Sequence, residues 1–423
     1  MTRRTHRTHR SHSTPGTLST PRTLSARSTP RTHRATLALA LTAAASVLLA
    51  GCAAPAAAPV ITPTETVSTL DRPATPEGDL PAELVSALQQ TLDDTMAEYS
   101  VPGGAVGVWI PGEGSWTAVA GIADVETDEP VTTDMQWPIR SITKSYTVTL
   151  ILQLVDEGAI SLDDTIDLYV DGITDGDEIT LRQLADMSSG NSDYFTDAFV
   201  QDFFIDDPAR LFTLDELNSY VVDQPAQFAP GTEKVYTNAN TNLLGKVVEV
   251  ATGQGFSEAL DERILEPLGQ TGTRYITDVS TWTEPHAVGY SPAETGTGWE
   301  EQIPNMSVLG PAGSMVTTLD DARVWGHMLA EGTLLDAATQ AERQQGAPLD
   351  AGPPYDIYAL GMGESDGWWG HNGEGLGYTA ATFHDNETGA TIAVFFNLSD
   401  FTPKAHPADQ LFRRLAAVIE GEQ

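Results

Sequence analysis

The chain has 423 residues, with 22 Lys and Arg against 59 Asp and Glu, a formal net charge of −37. That length allows a sizeable core in one large or two ordinary domains, while a field of that sign repels polyanions and excludes nucleic acid as a partner. A single cysteine excludes disulfides within the chain.

Residues 1–34 are rich in Arg, His, Ser and Thr and hold no acid. The run Ala35 to Ala50, ATLALALTAAASVLLA, is short for a membrane-spanning helix and suits the apolar core of a secretory signal. It ends in Leu49-Ala50-Gly51-Cys52, which resembles the lipobox of bacterial lipoproteins. That resemblance implies a lipid on Cys52, which becomes the first mature residue. Residues 1–51 are therefore expected to be a lipoprotein signal peptide, placing the protein outside the cytoplasm and anchored to the cell membrane. Residues 52–78, rich in Pro, Ala and Thr, bury too little to order themselves and are expected to form a flexible tether.

The folded domain is expected over 79–423. Asp79 is placed to cap a helix in which Leu80, Leu84, Leu88, Leu92 and Met96 recur every four residues on one face. Ala105 to Ile110 and Ser115 to Ala120 predict a hairpin around Pro111-Gly112-Glu113-Gly114. From about Ser145 to Gly326 helical patterns and loops dominate, for example Leu181 to Met187 and Asn240 to Ala251. Tyr378 to His384 and Thr391 to Asn397 predict a second hairpin, and a closing helix carries Leu411, Phe412, Leu415, Val418 and Ile419 on one side. The class is α+β: an antiparallel sheet built from both chain ends, flanked by terminal helices, with a mainly helical lobe inserted and a cleft where the two meet.

Ser141-Ile142-Thr143-Lys144 opens a nearly continuous apolar run, Val148 to Val155, expected as a buried helix. A spacing of three puts the Ser hydroxyl and the Lys amine on one face. A desolvated amine has a lowered pKa and can take the hydroxyl proton. Of the four lysines in the chain, Lys144 alone has Ser three residues before it. Tyr236-Thr237-Asn238 lies just before the helix Leu243 to Ala251. A phenol beside an ammonium is drawn toward phenolate and can relay a proton, and the Asn238 amide can bind a substrate carbonyl or hold Lys144; alone, the triplet reads equally as a surface turn. His371-Asn372-Gly373 lies in the glycine-rich Gly370 to Gly377 ahead of a strand, where an edge would let substrate backbone approach and an N–H serve an oxyanion. Alone, it reads as a hairpin loop with a solvated His.

Together and in this order, these residues resemble the penicillin-recognising serine hydrolases: class C β-lactamases, serine D-alanyl-D-alanine carboxypeptidases and their esterase and D-peptidase relatives. LQLVDEGAISLDD, ITLRQLADMSSG and LLGKVVEVATG are similar to that family too, and the resemblance spans about Leu80 to Glu420. It implies that Ser141 attacks the carbonyl, that Lys144 and Tyr236 share the proton transfers, that Asn238, His371, Gly373 and Glu374 serve substrate binding, and that the oxyanion sits between the N–H groups of Ser141 and Glu374. No metal or organic cofactor is implied. The substrate is expected to be a small molecule or peptide, peptidoglycan stem peptides included. His371 stands where many β-lactamases have Lys, some carboxypeptidases His and esterase relatives often Trp, which favours a D-alanyl-D-alanine carboxypeptidase or D-peptidase over an esterase or amidase on small acyl substrates, a β-lactamase or a non-catalytic penicillin sensor. Two departures stand out. Glu374 would repel a terminal carboxylate, and Met187-Ser188-Ser189-Gly190 replaces the His-Thr-Ser-Gly of relatives, either to shape the cleft or to pack.

Overall fold

The computed structural model describes residues 70–294, 297–400 and 406–421. Cys52, the apolar run 35–50 and most of the expected tether lie outside the described residues. No helix among the described residues is long and apolar enough to cross a membrane.

The leading helix α1 (Ala82–Tyr99) starts two residues later than a cap at Asp79 predicts, with Pro81 in the capping position. Pro81 disfavours the helical region for Leu80, and Leu80 instead donates its N–H to Ser115 O at 3.3 Å. Eight strands follow the pattern of the two ends: β1 (Gly103–Ile110), β2 (Gly114–Asp124), β3 (Glu129–Pro130), and after the inserted lobe β4 (Ile357–Tyr358), β5 (Gly363–Ser365), β6 (Trp368–Gly375), β7 (Tyr378–Asp385) and β8 (Thr391–Phe396). They form one antiparallel sheet in the order β3-β2-β1-β8-β7-β6-β5-β4, so β1 from the first end pairs with β8 from the last. The final helix is α5 (Pro407–Glu420).

Both faces of the sheet are covered, which is why β1 and β8 are buried along their whole length. Successive side chains point to opposite faces. Val106, Val108, Ile392, Val394 and Phe396 pack with Leu88 and Leu92 of α1 and Leu411, Phe412 and Leu415 of α5. Ala105, Trp109, Ala393 and Phe395 enter the core shared with the lobe.

Within the lobe, α2 (Thr143–Asp156) is buried over most of its length and contributes Leu150, Ile151, Leu152 and Leu154 to that core, as α3 (Asn238–Thr252) contributes Leu243, Leu244, Val247 and Val248. A further long helix, α4 (Leu319–Glu331), packs on the sheet against β7 and β8. A small sheet of Trp137–Pro138, Met315–Thr317 and Arg274–Tyr275 braces the approach to α2, and Ile139 N–H donates to Met315 O at 3.0 Å.

The tether expected up to Gly78 is held to the body at its C-terminal end. Leu70 N–H donates to Pro267 O at 2.8 Å. The Arg72 guanidinium pairs with Asp320 at 2.7 Å and Asp321 at 3.0 Å, and Arg323 donates to Pro73 O at 2.8 Å.

Candidate active site

A 3-10 turn, Arg140–Ile142, runs directly into α2, so Ser141 stands at the helix start and Lys144 one turn further on. Lys144 is fully buried. Its Nζ lies 3.0 Å from Ser141 Oγ, 2.7 Å from Asn238 Oδ1 and 2.9 Å from Ala312 O. None of these acceptors is a carboxylate, and desolvation draws the amine down to about 7 against a weaker upward pull from Asp193. A neutral amine has two N–H bonds and one lone pair. Asn238 and Ala312 take the two donors, and the lone pair is left facing the Ser141 hydroxyl.

Tyr236 arrives on an extended segment fixed by Tyr236 N–H to Ala351 O at 2.9 Å and Val235 N–H to Met187 O at 3.0 Å. Thr237 then caps α3, accepting from Ala239 N–H at 3.2 Å, which places Asn238 at the first helical position beside Lys144. Asn238 N–H donates to Asp193 Oδ2 at 2.9 Å. Lys144 Nζ sits over the Tyr236 ring, 4.9 Å from its centre. The Tyr236 hydroxyl is buried and makes no hydrogen bond within the described residues. Burial pushes its pKa well above the ordinary phenol range, opposed by the neighbouring Ser141 hydroxyl. The expected drift toward phenolate is therefore corrected: the cation faces the ring, desolvation dominates, and the resting group is a neutral phenol able to give a proton.

The third motif lies inside β6 and not in a loop. β6 pairs with β7 along its whole length, whereas its pairing with β5 ends at Gly370. A Cβ on Gly373 would lie 2.2 Å from Ile139 O and 2.9 Å from Ser141 N, so only Gly lets this strand press against the nucleophile turn. His371 does not face the cleft. It is buried behind Tyr236, with Tyr355 Oη 3.2 Å from Nδ1 and Tyr358 Oη 3.4 Å from Nε2. Burial, helped by the Lys144 charge, draws its pKa to about 3, so the imidazole is neutral. Asn372 points toward α5 and donates to Asp409 Oδ1 at 2.9 Å.

Ser141, Tyr236, Asn238, Asn372, Gly373 and Glu374 line one cleft of about 300 Å³. Within it Glu374 Oε1 is buried without a hydrogen-bond partner among the described residues, and burial raises the carboxyl to about 8. The opposite wall is aromatic: Phe195, Phe203 and Phe204 line the cleft, and Phe195 and Phe204 are 46% and 49% exposed. The sequence reading missed this wall and Asp193, although the density of aromatics among acids in Tyr194 to Phe204 was a signal. Met187 to Gly190 packs rather than lining the cleft: Ser189 donates to Asn240 at 2.7 Å, and Asp186 just before it holds Lys234 at 2.6 Å.

A two-lobed α+β body with an antiparallel sheet, a Ser-x-x-Lys turn at a buried helix start, a Tyr-x-Asn loop and a glycine strand against them define a serine-hydrolase centre of the β-lactamase fold. The β-lactamase family profile matches residues 88–417, and the chain belongs to that family. It is 29% identical over 317 residues to a D-aminopeptidase of Brucella anthropi, covering 74% of this chain and 59% of the relative. The chain thus spans a little over half the length of the curated relatives it matches. Among solved structures it is similar to the D-amino acid amidase of Ochrobactrum anthropi (TM-score 0.71, 26% identity, 80% of this chain and 99% of that one). It is likewise similar to a D-stereospecific amidohydrolase from Streptomyces (TM-score 0.68, 28% identity, 80% and 98%).

Proposed function

We propose that this protein is an exported serine amidase or aminopeptidase that releases D-amino acids carrying a free amino group from their amides or from short peptides, through an acyl-enzyme on Ser141. The observation that carries this reading is the Glu374 carboxyl in the cleft, which accepts from the Asp400 backbone but keeps Oε1 buried with no hydrogen-bond partner among the described residues. A carboxyl held ready beside the reacting centre suits an α-amino group and not a terminal carboxylate. Relatives named for D-aminopeptidase and D-amino acid amidase activity support the same choice and the D configuration. The D-alanyl-D-alanine carboxypeptidase expectation fits less well, since it would set a carboxylate against Glu374.

In this reading Lys144 takes the proton of Ser141 as Oγ attacks the carbonyl carbon. The oxyanion is held by the N–H groups of Ser141 and Glu374, and Tyr236 gives its proton to the departing nitrogen, so that amine or ammonia leaves and an ester remains on Ser141. Water then attacks the ester with the same groups in reversed roles. The aromatic wall of Phe195, Phe203 and Phe204 accepts an apolar substrate side chain. Lipid attachment at Cys52 holds the domain at the membrane.

The test is ammonia release from D-phenylalanine amide, its L-enantiomer and N-acetyl-D-phenylalanine amide, with Ser141→Ala as control. Turnover confined to the free D-amide and lost in the variant supports the proposal. Preference for N-acylated D-alanyl-D-alanine peptides returns the carboxypeptidase reading, and activity surviving in the variant removes Ser141 as nucleophile.

A further inference from the structure

Two non-glycine residues hold left-handed backbone where the cleft floor is built: Arg140 at φ 51°, immediately before Ser141, and Leu376 at φ 44°, two residues after Glu374. Such conformations are strained for a residue with a side chain and persist where the surroundings over-determine them. The two turns are joined by one side chain. Arg140 Nε donates to Gly375 O at 2.8 Å and Nη2 to Leu376 O at 3.2 Å, while Nη1 lies 2.8 Å from Met306 Sδ. The guanidinium also stacks over the Tyr378 ring, 4.9 Å from its centre.

Arg140 is 1% exposed, and no carboxylate among the described residues forms an ion pair with it. Burial draws even this guanidinium down to about 10. A buried cation without a counter-ion, in a backbone conformation that suits glycine, is unfavourable on both counts. Packing alone does not account for keeping it there. Its two carbonyl partners belong to the strand end and turn that carry Glu374, and its own N–H and C=O belong to the turn that carries Ser141. Gly373, between them, already allows the strand to approach within contact of Ser141 N.

We propose that Arg140 is a positioning residue for the oxyanion site: its planar fork locks the Ser141 turn to the Gly375-Leu376 turn and so sets the separation of the Ser141 and Glu374 N–H groups. A single-point cation such as Lys cannot reproduce the two-carbonyl grip. The buried positive charge lies near the place where the negative oxygen develops, which adds to the same effect.

This inference rests on the acyl-enzyme reading, and its test uses a reagent that does not depend on the natural substrate. A fluorophosphonate reacts when Ser141 Oγ attacks phosphorus, fluoride leaves and Lys144 takes the hydroxyl proton; the phosphoryl oxygen then occupies the oxyanion site. Labelling rates are read by intact mass for wild type, Arg140→Gly and Arg140→Lys, alongside thermal midpoints. The Gly variant relieves the left-handed strain and removes the buried charge, but it also takes the donor from the Gly375 and Leu376 carbonyls and empties the space of a large buried side chain. Its midpoint is therefore expected to fall modestly, while its labelling, read well below that midpoint, slows by about 100-fold, the loss typical of a displaced oxyanion donor. The Lys variant, which keeps the charge without the fork, is expected to slow by about 10-fold. Labelling of either variant at the wild-type rate overturns the proposal, as does a labelling loss in both that merely tracks a falling thermal midpoint. A wild type that is not labelled overturns the acyl-enzyme reading itself, and this inference with it.

Discussion

Asn238 holds the Lys144 amine at 2.7 Å through a neutral amide oxygen, in a place where a carboxylate would fix the lysine as a cation. With the amine drawn down to about 7, its free base is well populated at neutral pH. Because the base must be unprotonated, kcat/KM should rise with pH through about 7. Asn238→Asp puts an opposite charge beside the amine and should move that limb upward by roughly one to three units, lowering kcat/KM at pH 7 by about tenfold or more. A pH profile of the variant superposing on the wild type would remove Lys144 as the base.

Tyr236→Phe separates chemistry from stability. The hydroxyl is buried and makes no hydrogen bond within the described residues, so its removal leaves no orphaned partner and relieves a desolvation cost of about 1–3 kcal/mol. The thermal midpoint should hold or rise, while kcat falls by about 10²–10⁴-fold. A variant that is less stable yet equally fast would make Tyr236 structural.

Glu374 titrates near 8 in the fold against an ordinary value of 4.5. The folded state therefore keeps a proton that the unfolded chain has lost, and stability should fall as pH rises from the unfolded value through about 8. Glu374→Gln removes that dependence, so its thermal midpoint should exceed that of wild type above pH 8 and match it near pH 4. The same group predicts a KM minimum near pH 8. One proton is shared between the carboxyl and a substrate amine of similar pKa; binding must release a proton below that pH and take one up above it. The Gln variant should show a higher KM at that pH and a flatter profile.

Gly373→Ala should fold with a loss of about 1–3 kcal/mol from overpacking, because the new methyl meets Ile139 O and the Ser141 backbone. The same displacement should slow acylation by about 10²-fold. Fluorophosphonate labelling and a denaturant midpoint on the same sample read both effects.

The sheet and its flanking helices were legible because each depends on local periodicity: the two hairpins and the Leu88, Leu92 stripe are set by alternation and helical spacing. Ser141 and Lys144 were legible for the same reason, being three residues apart. The third motif was placed by resemblance, but its glycines read as a loop. Glycine signals a turn in sequence, whereas here Gly370 and Gly373 are close approaches inside a strand, and Gly373 meets a turn more than 200 residues away. The helix start moved because Pro81 overrode the capping potential of Asp79. The charge states of Tyr236, His371 and Glu374 were not legible at all, since burial in a shared cleft sets them and no sequence neighbour reports it.

The clip made by Arg72 on Asp320 and Asp321 bears on how the domain is produced for study. A recombinant form cut at Asp79 discards Arg72, leaves Asp321 without its cation and takes the Pro73 carbonyl from Arg323, which keeps only its pairing with Asp320. Its fragility would then belong to the cut and not to the enzyme, and a start ahead of Leu70 avoids it.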